Sequence, residues 1–462
     1  MDMPFFNREE ELDFLNKKFQ SGRAELLIFR GRRRVGKTVL LKEFSRQVNG
    51  LYLLASVTSV QDQLQIFSPI ISRYFEDAFL SQRPFAAWDE LFIYLQQRVQ
   101  QRTAIIIDEY PYLLEAQPGL GTILQKHWDE SFHANPNIFL VLNGSALSMM
   151  EKETLASKAP LYGRRTGQWF VDPFDPVENN KFFVNTSLIR AIEWYALTGG
   201  IPFYAQIFAR HATPLEAILQ EVLTYGEVLF EEVEFILRGE FRNPRSYFPI
   251  LKAIATGSQK FGEISSKTGY DRANLTKYLS ALESLKLIHR ETPITEKNPA
   301  KSKKGIYHLS DYFMHLWFNY VFPHLTELQT EGREQVMEKI VRPSFDRFVS
   351  RVCERIIRQL LQQNFFGLNM AFDRLGRHWD SQTEIDVFGY TKDGNTAIGE
   401  IKWTASPVGM EVLQSLDKKI AGMRPHLQGQ IQKLILSKSG FAKEATGHAG
   451  EFLLIDLSTY KL

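Results

Sequence analysis

The sequence predicts an α/β chain of several domains: a parallel sheet covered by helices, then a helical stretch, then a second α/β segment. Three observations carry this. In the first 145 residues, short apolar runs alternate with helical patterns. From Val177 to about Phe241 the apolar spacing is helical throughout, interrupted by the turn Gly199-Gly200-Ile201-Pro202. Beyond Ser344 an amphipathic helical pattern gives way to strand-like runs joined by an Asp-Gly hairpin signal. Length agrees, since 462 residues exceed one ordinary core and suggest about three domains.

The runs Leu26–Phe29, Leu51–Leu54, Ala104–Ile107 and Ile138–Leu142 read as buried strands, because their apolar residues are consecutive rather than alternating. Helical patterns such as Thr38–Gln47 and Trp88–Gln101 lie between them, and strand–helix–strand alternation argues for a parallel sheet. Tyr247–Leu309 forms a second unit. It has three helical stretches (Tyr247–Gly257, Phe261–Thr268, Arg272–Lys286), a strand at Leu287–Arg290, a lysine-bearing loop and a strand at Gly305–Leu309. A connecting helical region runs from Tyr312 to about Lys339. The expected domains are therefore 1–176, 177–241, 242–325 and 326–462.

Composition narrows the function classes. A chain 44% hydrophobic and 23% charged can bury a globular core. Its one cysteine, Cys353, excludes a disulfide framework and a Cys-based zinc site, and points to a reducing cytoplasm. The N-terminal stretch is acidic and amphipathic rather than a secretory signal, and no apolar run is long enough for a bilayer span. No HExxH-like spacing supports a histidine metalloenzyme. Net charge of +2 leaves nucleic acid open, so local clusters must decide.

The clearest chemistry is Gly31-x4-Gly36-Lys37-Thr38, with a strand before it and a helix after it. Glycines there let backbone N–H groups turn toward phosphate oxygens, and the helix N-terminus adds its positive dipole end. Lys37 is expected on the β- and γ-phosphates and the Thr38 hydroxyl on Mg²⁺. Gly31, Val35, Gly36, Lys37, Thr38 and Val39 are the expected nucleotide contacts. Arg32, Arg33 and Arg34 read as solvated loop arginines, with contact to phosphate or to a neighbouring subunit as the alternative. Downstream, Ala104–Ile107 ends in Asp108-Glu109; Asp108 would hold Mg²⁺ through its water shell and Glu109 would polarise the attacking water. The next strand ends in Asn143-Gly144-Ser145, where Asn143 or Ser145 is a candidate sensor of the γ-phosphate, beside a plain strand-end turn.

Phe6-Asn7-Arg8-Glu9, Gly31–Thr38, Ile107–Pro111, Pro160–Arg164 and Thr198–Pro202 together resemble the archaeal-type ATPase family, a branch of the AAA-related P-loop NTPases. The resemblance implies ATP as the nucleotide and places Asn7-Arg8-Glu9 at the border of the adenine pocket. It also implies that the turn at Pro202 lies in a helical lid near the nucleotide, and that Arg164 contacts a γ-phosphate as an arginine finger. Read from its own residues, Arg164 is an arginine following Tyr-Gly at a surface or hinge.

The middle unit has the pattern of a winged helix-turn-helix, with Gly269 in the tight turn. Its third helix offers Arg272, Asn274 and Lys277, and the loop offers Lys297, Lys301, Lys303 and Lys304. These residue types contact phosphates and base edges in DNA. The same module also serves as a protein-binding surface, so both partners stand.

In the last segment, helix Ser344–Leu361 precedes strands around Phe366–Phe372, Thr383–Tyr390 and Thr396–Trp403, helix Gly409–Met423 and strand Lys433–Ser437. This order resembles the core of the PD-(D/E)XK nuclease fold. Asp386 lies in the second strand, and Glu400 and Lys402 share one face of the third. Two carboxylates there would bind Mg²⁺, with Lys402 positioning or deprotonating water. Glu354 on the preceding helix would complete the shell. Ile385 stands where the family's proline precedes the aspartate, and Trp403 follows the lysine. An inactive fold, with these residues in a surface charge network, is the competing reading.

The combined expectation is an Mg²⁺- and ATP-dependent enzyme that couples nucleotide state to DNA, with metal-dependent cleavage as a further output. The alternative is a nucleotide-operated switch that assembles as a homo-oligomer or binds a protein partner.

Overall fold

Leu26, Leu27, Ile28 and Phe29 are fully buried, as a strand covered on both faces requires of consecutive apolar residues. They form β1 (Glu25–Arg30) in a computed structural model that describes residues 5–184, 186–241 and 243–462. Around it stand β2 (Leu51–Leu54), β3 (Thr103–Asp108), β4 (Ile138–Gly144) and β5 (Gly167–Phe170), in the order β2-β3-β4-β1-β5. Every neighbouring pair is parallel, so all five strands end on one edge. Ligands of open α/β sheets bind outside that edge. Helices α1 (Glu9–Phe19), α2 (Lys37–Gln47), α3 (Val60–Tyr74), α4 (Trp88–Arg98), α5 (Tyr110–Ala116) and α6 (Leu120–Glu130) accompany the sheet. The core on the β2–β3 side gathers Leu53, Phe67, Trp88, Phe92, Ile105 and Leu140.

The strands extend those expected from sequence by one or two residues at most. The fifth was not anticipated: Gly-Gln-Trp-Phe is short and only half-buried, with no consecutive apolar run to mark it.

The chain divides into two compact units, one ending at Pro173 and one running from Phe174 to Leu462. The boundary lies three residues before the expected end of the first domain at 176. The expected domains at 177–241, 242–325 and 326–462 all fall within the second unit, and residue 242 itself lies outside the described residues. These pieces form one unit because α7 (Leu188–Thr198), with nine buried residues, packs against helices from both later segments. The C-terminus also returns to it: Leu188 N–H donates to Tyr460 O at 3.0 Å and Asn180 Nδ2 to Leu462 O at 2.8 Å.

The turn before α8 (Pro202–Phe208) is set by Gly200, whose φ is +75°. A Cβ there would lie 1.9 Å from Phe174 O, and Phe174 N–H donates to Gly200 O at 2.8 Å. Only glycine permits both the left-handed backbone and that approach.

Farther on, α9 (Phe248–Ala255), α10 (Phe261–Thr268) and α11 (Arg272–Ser284) precede the antiparallel pair β6 (Ile288–Glu291) and β7 (Ile306–Leu309). After α12 (Tyr312–Tyr320) and the long α13 (Arg342–Gln362) comes a second five-stranded sheet. Its strands are β8 (Phe372–Trp379), β9 (Glu384–Thr391), β10 (Thr396–Lys402), β11 (Ile431–Ser437) and β12 (Phe452–Asp456), in the order β12-β11-β10-β9-β8. Helix α14 (Met410–Gly422) joins β10 to its parallel neighbour β11.

Two expectations shift here. The strand placed around Phe366–Phe372 begins only at Phe372, because Asn364, Gly367 and Asn369 take left-handed φ values of 54°, 65° and 53° and turn the chain instead. The lysine-bearing loop after β6 does not project freely. Ile294 N–H donates to Arg377 O at 3.0 Å, Arg374 donates to Ile294 O at 2.6 Å and Trp379 Nε1 to Lys304 O at 3.1 Å. The loop thus covers β8, the edge strand of the second sheet, whose unpaired backbone would otherwise be open to other chains.

Candidate functional site

At the strand ends of the first sheet, the loop between β1 and α2 bends through Arg34 (φ 69°) and Gly36 (φ 91°). Gly31 begins it, and a Cβ there would lie 2.5 Å from Val171 O. Lys37 is buried, and its ammonium donates to Gly31 O and Arg32 O, both at 2.9 Å. Thr38 Oγ1 donates to Asp108 Oδ2 at 2.8 Å. Val35 is fully buried, whereas Val39 is exposed on the first turn of α2. The three loop arginines are not solvated as expected: Arg32 is buried and Arg33 and Arg34 are half-buried.

Asp108 collects donors from two neighbouring strands, from α2 and from the backbone that follows it. Besides Thr38, it accepts from Tyr52 Oη on β2, from Asn143 Nδ2 on β4 and from the Glu109 N–H at 2.9 Å. Burial and the Asp108 charge push the Tyr52 phenol far above its ordinary range, so it stays a donor. Glu109 follows on a left-handed backbone (φ 53°), which turns its carboxylate away from Asp108's partners. Its oxygens accept from Ser145 Oγ at 3.0 and 2.9 Å. The polar end of β4 therefore divides its work: Asn143 serves Asp108 and Ser145 serves Glu109. Tyr52 was not singled out in the sequence, because the run Leu-Tyr-Leu-Leu gives no sign that its tyrosine meets an aspartate 56 residues away.

Arg8 is a clamp. Its guanidinium donates to Glu11 at 2.9 Å, Asp172 O at 2.9 Å and Val35 O at 2.8 Å, tying α1 and the residues after β5 to the phosphate loop. Arg164 lies elsewhere. It precedes the first residue of β5 at the strand-start edge, and its guanidinium forks onto Asp129 of α6 at 2.8 to 3.1 Å. The strand-end edge carries Lys37 and Asp108, so Arg164 lies at the opposite edge of the sheet from them. Pro202 belongs to the second unit, at the first turn of α8.

In the second sheet, the β9–β10 register runs to Gly399↔Val387, and one step further Asp386 stands opposite Glu400. Asp386 Oδ2 accepts the Ile401 N–H at 2.9 Å, and Arg358 donates to Asp386 O at 2.8 Å. Glu400 is buried, with Lys402 Nζ at 2.7 Å on one oxygen and Lys419 Nζ of α14 at 2.6 Å on the other. Burial, then the facing Glu400, raises the Asp386 carboxyl above its ordinary range. Desolvation opposes the charge on Lys402, yet Glu400 and Asp386 hold its ammonium above its ordinary range. Lys402 is thus a cation that positions, and the expected deprotonation of water by it is disfavoured. Glu354 lies 3.9 Å from Arg358 and 3.6 Å from Arg377, and burial with Asp386 nearby raises it to about 7. Among the described residues, no group of three or more His, Cys, Asp or Glu is arranged to hold a metal ion. Lys419 had no motif to mark it, since its partner lies 19 residues earlier across a strand-to-helix turn.

Arg272, Asn274 and Lys277 are exposed on α11, though Asn274 Nδ2 also donates to the capping Asp271 at 2.6 Å. Lys301 and Lys303 are exposed, while Lys304 pairs with Glu296 at 2.9 Å. No described helix is long and apolar enough to cross a membrane.

Two families match different parts of the chain. A family described as an ATPase domain predominantly from Archaea matches residues 5–205, and one described as Archaea bacterial proteins of unknown function matches residues 317–416. An uncharacterized protein of Methanocaldococcus jannaschii is 32% identical over 403 residues, spanning 86% of this chain and 87% of its own length. An uncharacterized ATP-binding protein of the same organism is 58% identical over 40 residues, 9% of this chain and 68% of its own. Among solved structures, a Walker-type ATPase of Pyrococcus abyssi aligns with a TM-score of 0.51 at 22% identity, covering 68% of this chain and 96% of that one. That likeness is one of fold.

Proposed function

Because the chain belongs to the family of ATPase-domain proteins found predominantly in Archaea, we propose that it hydrolyses Mg·ATP and couples nucleotide state to DNA engagement. The carrying observation is the bonded row at the strand ends: Lys37 on the loop carbonyls, Thr38 on Asp108, and Glu109 held by Ser145. Thr38 and Asp108 offer adjacent hard oxygen donors, which fits Mg²⁺. When bound, the ion would neutralise charge on the β- and γ-phosphates. Lys37 exchanges its loop carbonyls for phosphate oxygens, and Gly31, Val35 and Gly36 frame them. Glu109 takes the proton of the attacking water, with Ser145 fixing its rotamer. Arg8 holds the loop to α1; Val39 borders the nucleotide; Arg164 acts on a neighbouring copy in a homo-oligomer.

For DNA, three helices followed by an antiparallel hairpin support a winged helix-turn-helix. Arg272, Asn274 and Lys277 read one face, and Lys301 and Lys303 neutralise phosphates. Lys304 contributes less, since Glu296 already neutralises it. ATP turnover of the purified chain, measured with and without duplex and single-stranded DNA, tests the reading. Stimulation by DNA supports it, whereas tight nucleotide retention without turnover rejects it.

A second reading is favoured by one observation. Glu400 is clasped by Lys402 and Lys419, so the PD-(D/E)XK-like sheet would serve as an inactive binding fold in a nucleotide-operated switch. The opposed Asp386 and Glu400 suit a hard cation only after those lysines yield an oxygen. Mg²⁺- or Mn²⁺-dependent DNA cleavage that disappears in Lys402→Ala decides for nuclease competence; equal background in both proteins decides for the switch.

A further inference from the structure

Within the second unit, β6, β7, α9, α12, α13 and β8 enclose a cavity of about 270 Å³. Its wall carries four arginines, Arg351, Arg355, Arg358 and Arg377, against two carboxylates, Glu291 and Glu354. Both carboxylates are shared by the same two arginines. Glu291 lies 3.7 Å from Arg358 and 3.3 Å from Arg377, and Glu354 lies 3.9 and 3.6 Å from them. Arg377 also reaches the exposed Glu384 at 3.8 Å. Among the described residues Arg351 and Arg355 have no carboxylate at ion-pair distance; Arg355 instead lies 3.4 Å from His289 Nδ1 and over the Tyr312 ring at 5.8 Å.

The wall's four arginines outnumber its two carboxylates, and with Glu384 counted the balance is still positive among the described residues. Arg355 is half-buried and Arg351 lies exposed at the mouth; a half-buried cation without a counter-charge is one for an external anion to pair. The histidines respond to the same field. His289 is held down to about 3 by burial and then by Arg355, and His315 to about 3 by burial and then by Arg351. Both are therefore neutral rings, able to offer N–H donors without adding charge. The Nδ1 of His315 is buried without a hydrogen-bond partner.

Guanidinium forks and imidazole N–H groups around a small volume match tetrahedral oxyanions. The volume lies below the range of roughly 300–1,000 Å³ typical of small-molecule pockets, which suits one phosphate group rather than a whole nucleotide. A phosphate monoester carries about −1.5 to −2 at neutral pH, the charge this wall lacks. We propose that the cavity binds a phosphate dianion, presented as free phosphate or as the terminal phosphate of a nucleic-acid strand. The inference does not rest on the ATPase reading, since none of these side chains belongs to the phosphate loop.

Calorimetric titration of the full chain with inorganic phosphate tests it, in a Lys37→Ala background that removes the phosphate-loop lysine. One site per chain is expected to remain. Adding Arg351→Gln and Arg355→Gln is expected to weaken it at least tenfold. The same pair in the Lys37-intact protein is expected to leave ATP affinity unchanged, which certifies the fold. Competition separates the sources: displacement by a 5′-phosphorylated oligonucleotide but not by its 5′-hydroxyl twin identifies a strand end, and displacement by neither identifies the free anion. Absence of phosphate binding in Lys37→Ala, or binding indifferent to the two arginines, overturns the proposal.

Discussion

Asp108 shows what single residues contribute to the first unit. A buried carboxylate needs donors in place of its water, and Thr38, Tyr52, Asn143 and a backbone N–H supply them. Tyr52→Phe removes one of these without changing shape. Hydrogen bonds to charged groups are worth about 1.5–3 kcal/mol, so turnover is expected to fall roughly ten- to hundredfold with ATP still bound. A steady-state kcat within twofold of the parent would show that Tyr52 is a bystander. Glu109→Gln tests the neighbour. Glutamine keeps the Ser145 contact but cannot accept the proton, so kcat is expected to drop by about 10²–10⁴ with ATP affinity retained. Normal hydrolysis by this variant would remove Glu109 from the mechanism.

At the scale of elements, β6, α13 and β8 are joined by charges whose pH responses oppose each other. Burial alone would raise Glu291, but His308, Arg358 and Arg377 hold it down at about 2. A depressed carboxyl stabilises the fold above its unfolded pKa of about 4.5 and loses that contribution as pH falls toward 2. Glu354, raised to about 7, has the opposite sign: the folded form holds its proton longer, so stability falls as pH rises from about 4.5 to 7. Glu291→Gln is expected to lower Tm at neutral pH and flatten the acid limb. Glu354→Gln is expected to flatten the slope between pH 5 and 7. Melting curves from pH 3 to 8 check both, and parallel profiles in all three proteins would refute the assignment. The same elements show what a single sequence reveals. Strands of consecutive apolar residues, the Gly31–Thr38 loop and the opposition of Asp386 to Glu400 were legible because each follows from local period or a short hairpin register. β5, β12, Tyr52 and Lys419 were not, since short edge strands and contacts across the sheet leave no local pattern. The lysine loop read as a free wing for the same reason; its cover of β8 depends on residues some 80 positions away.

Over the whole molecule, the question is whether events at Lys37 and Asp108 reach α11. The chain passes from one unit to the next at Pro173–Phe174, and Phe174 is held at once by Gly200 and by Tyr195 Oη, which donates to its carbonyl at 3.0 Å. Coupling between two ligands is a free energy, typically about 1–3 kcal/mol, and linkage makes it reciprocal. If ATP state controls DNA binding, the DNA Kd of Glu109→Gln loaded with ATP is expected to differ from that of the ADP form by at least about fivefold. DNA must then shift the ATP/ADP preference by the same factor. Fluorescence anisotropy at fixed ionic strength measures the first and nucleotide competition the second; fixed salt matters because phosphate contacts dominate affinity. Equal DNA affinity in the two nucleotide states would separate the ATPase from the helical unit and leave the bonded row at the strand ends with another output.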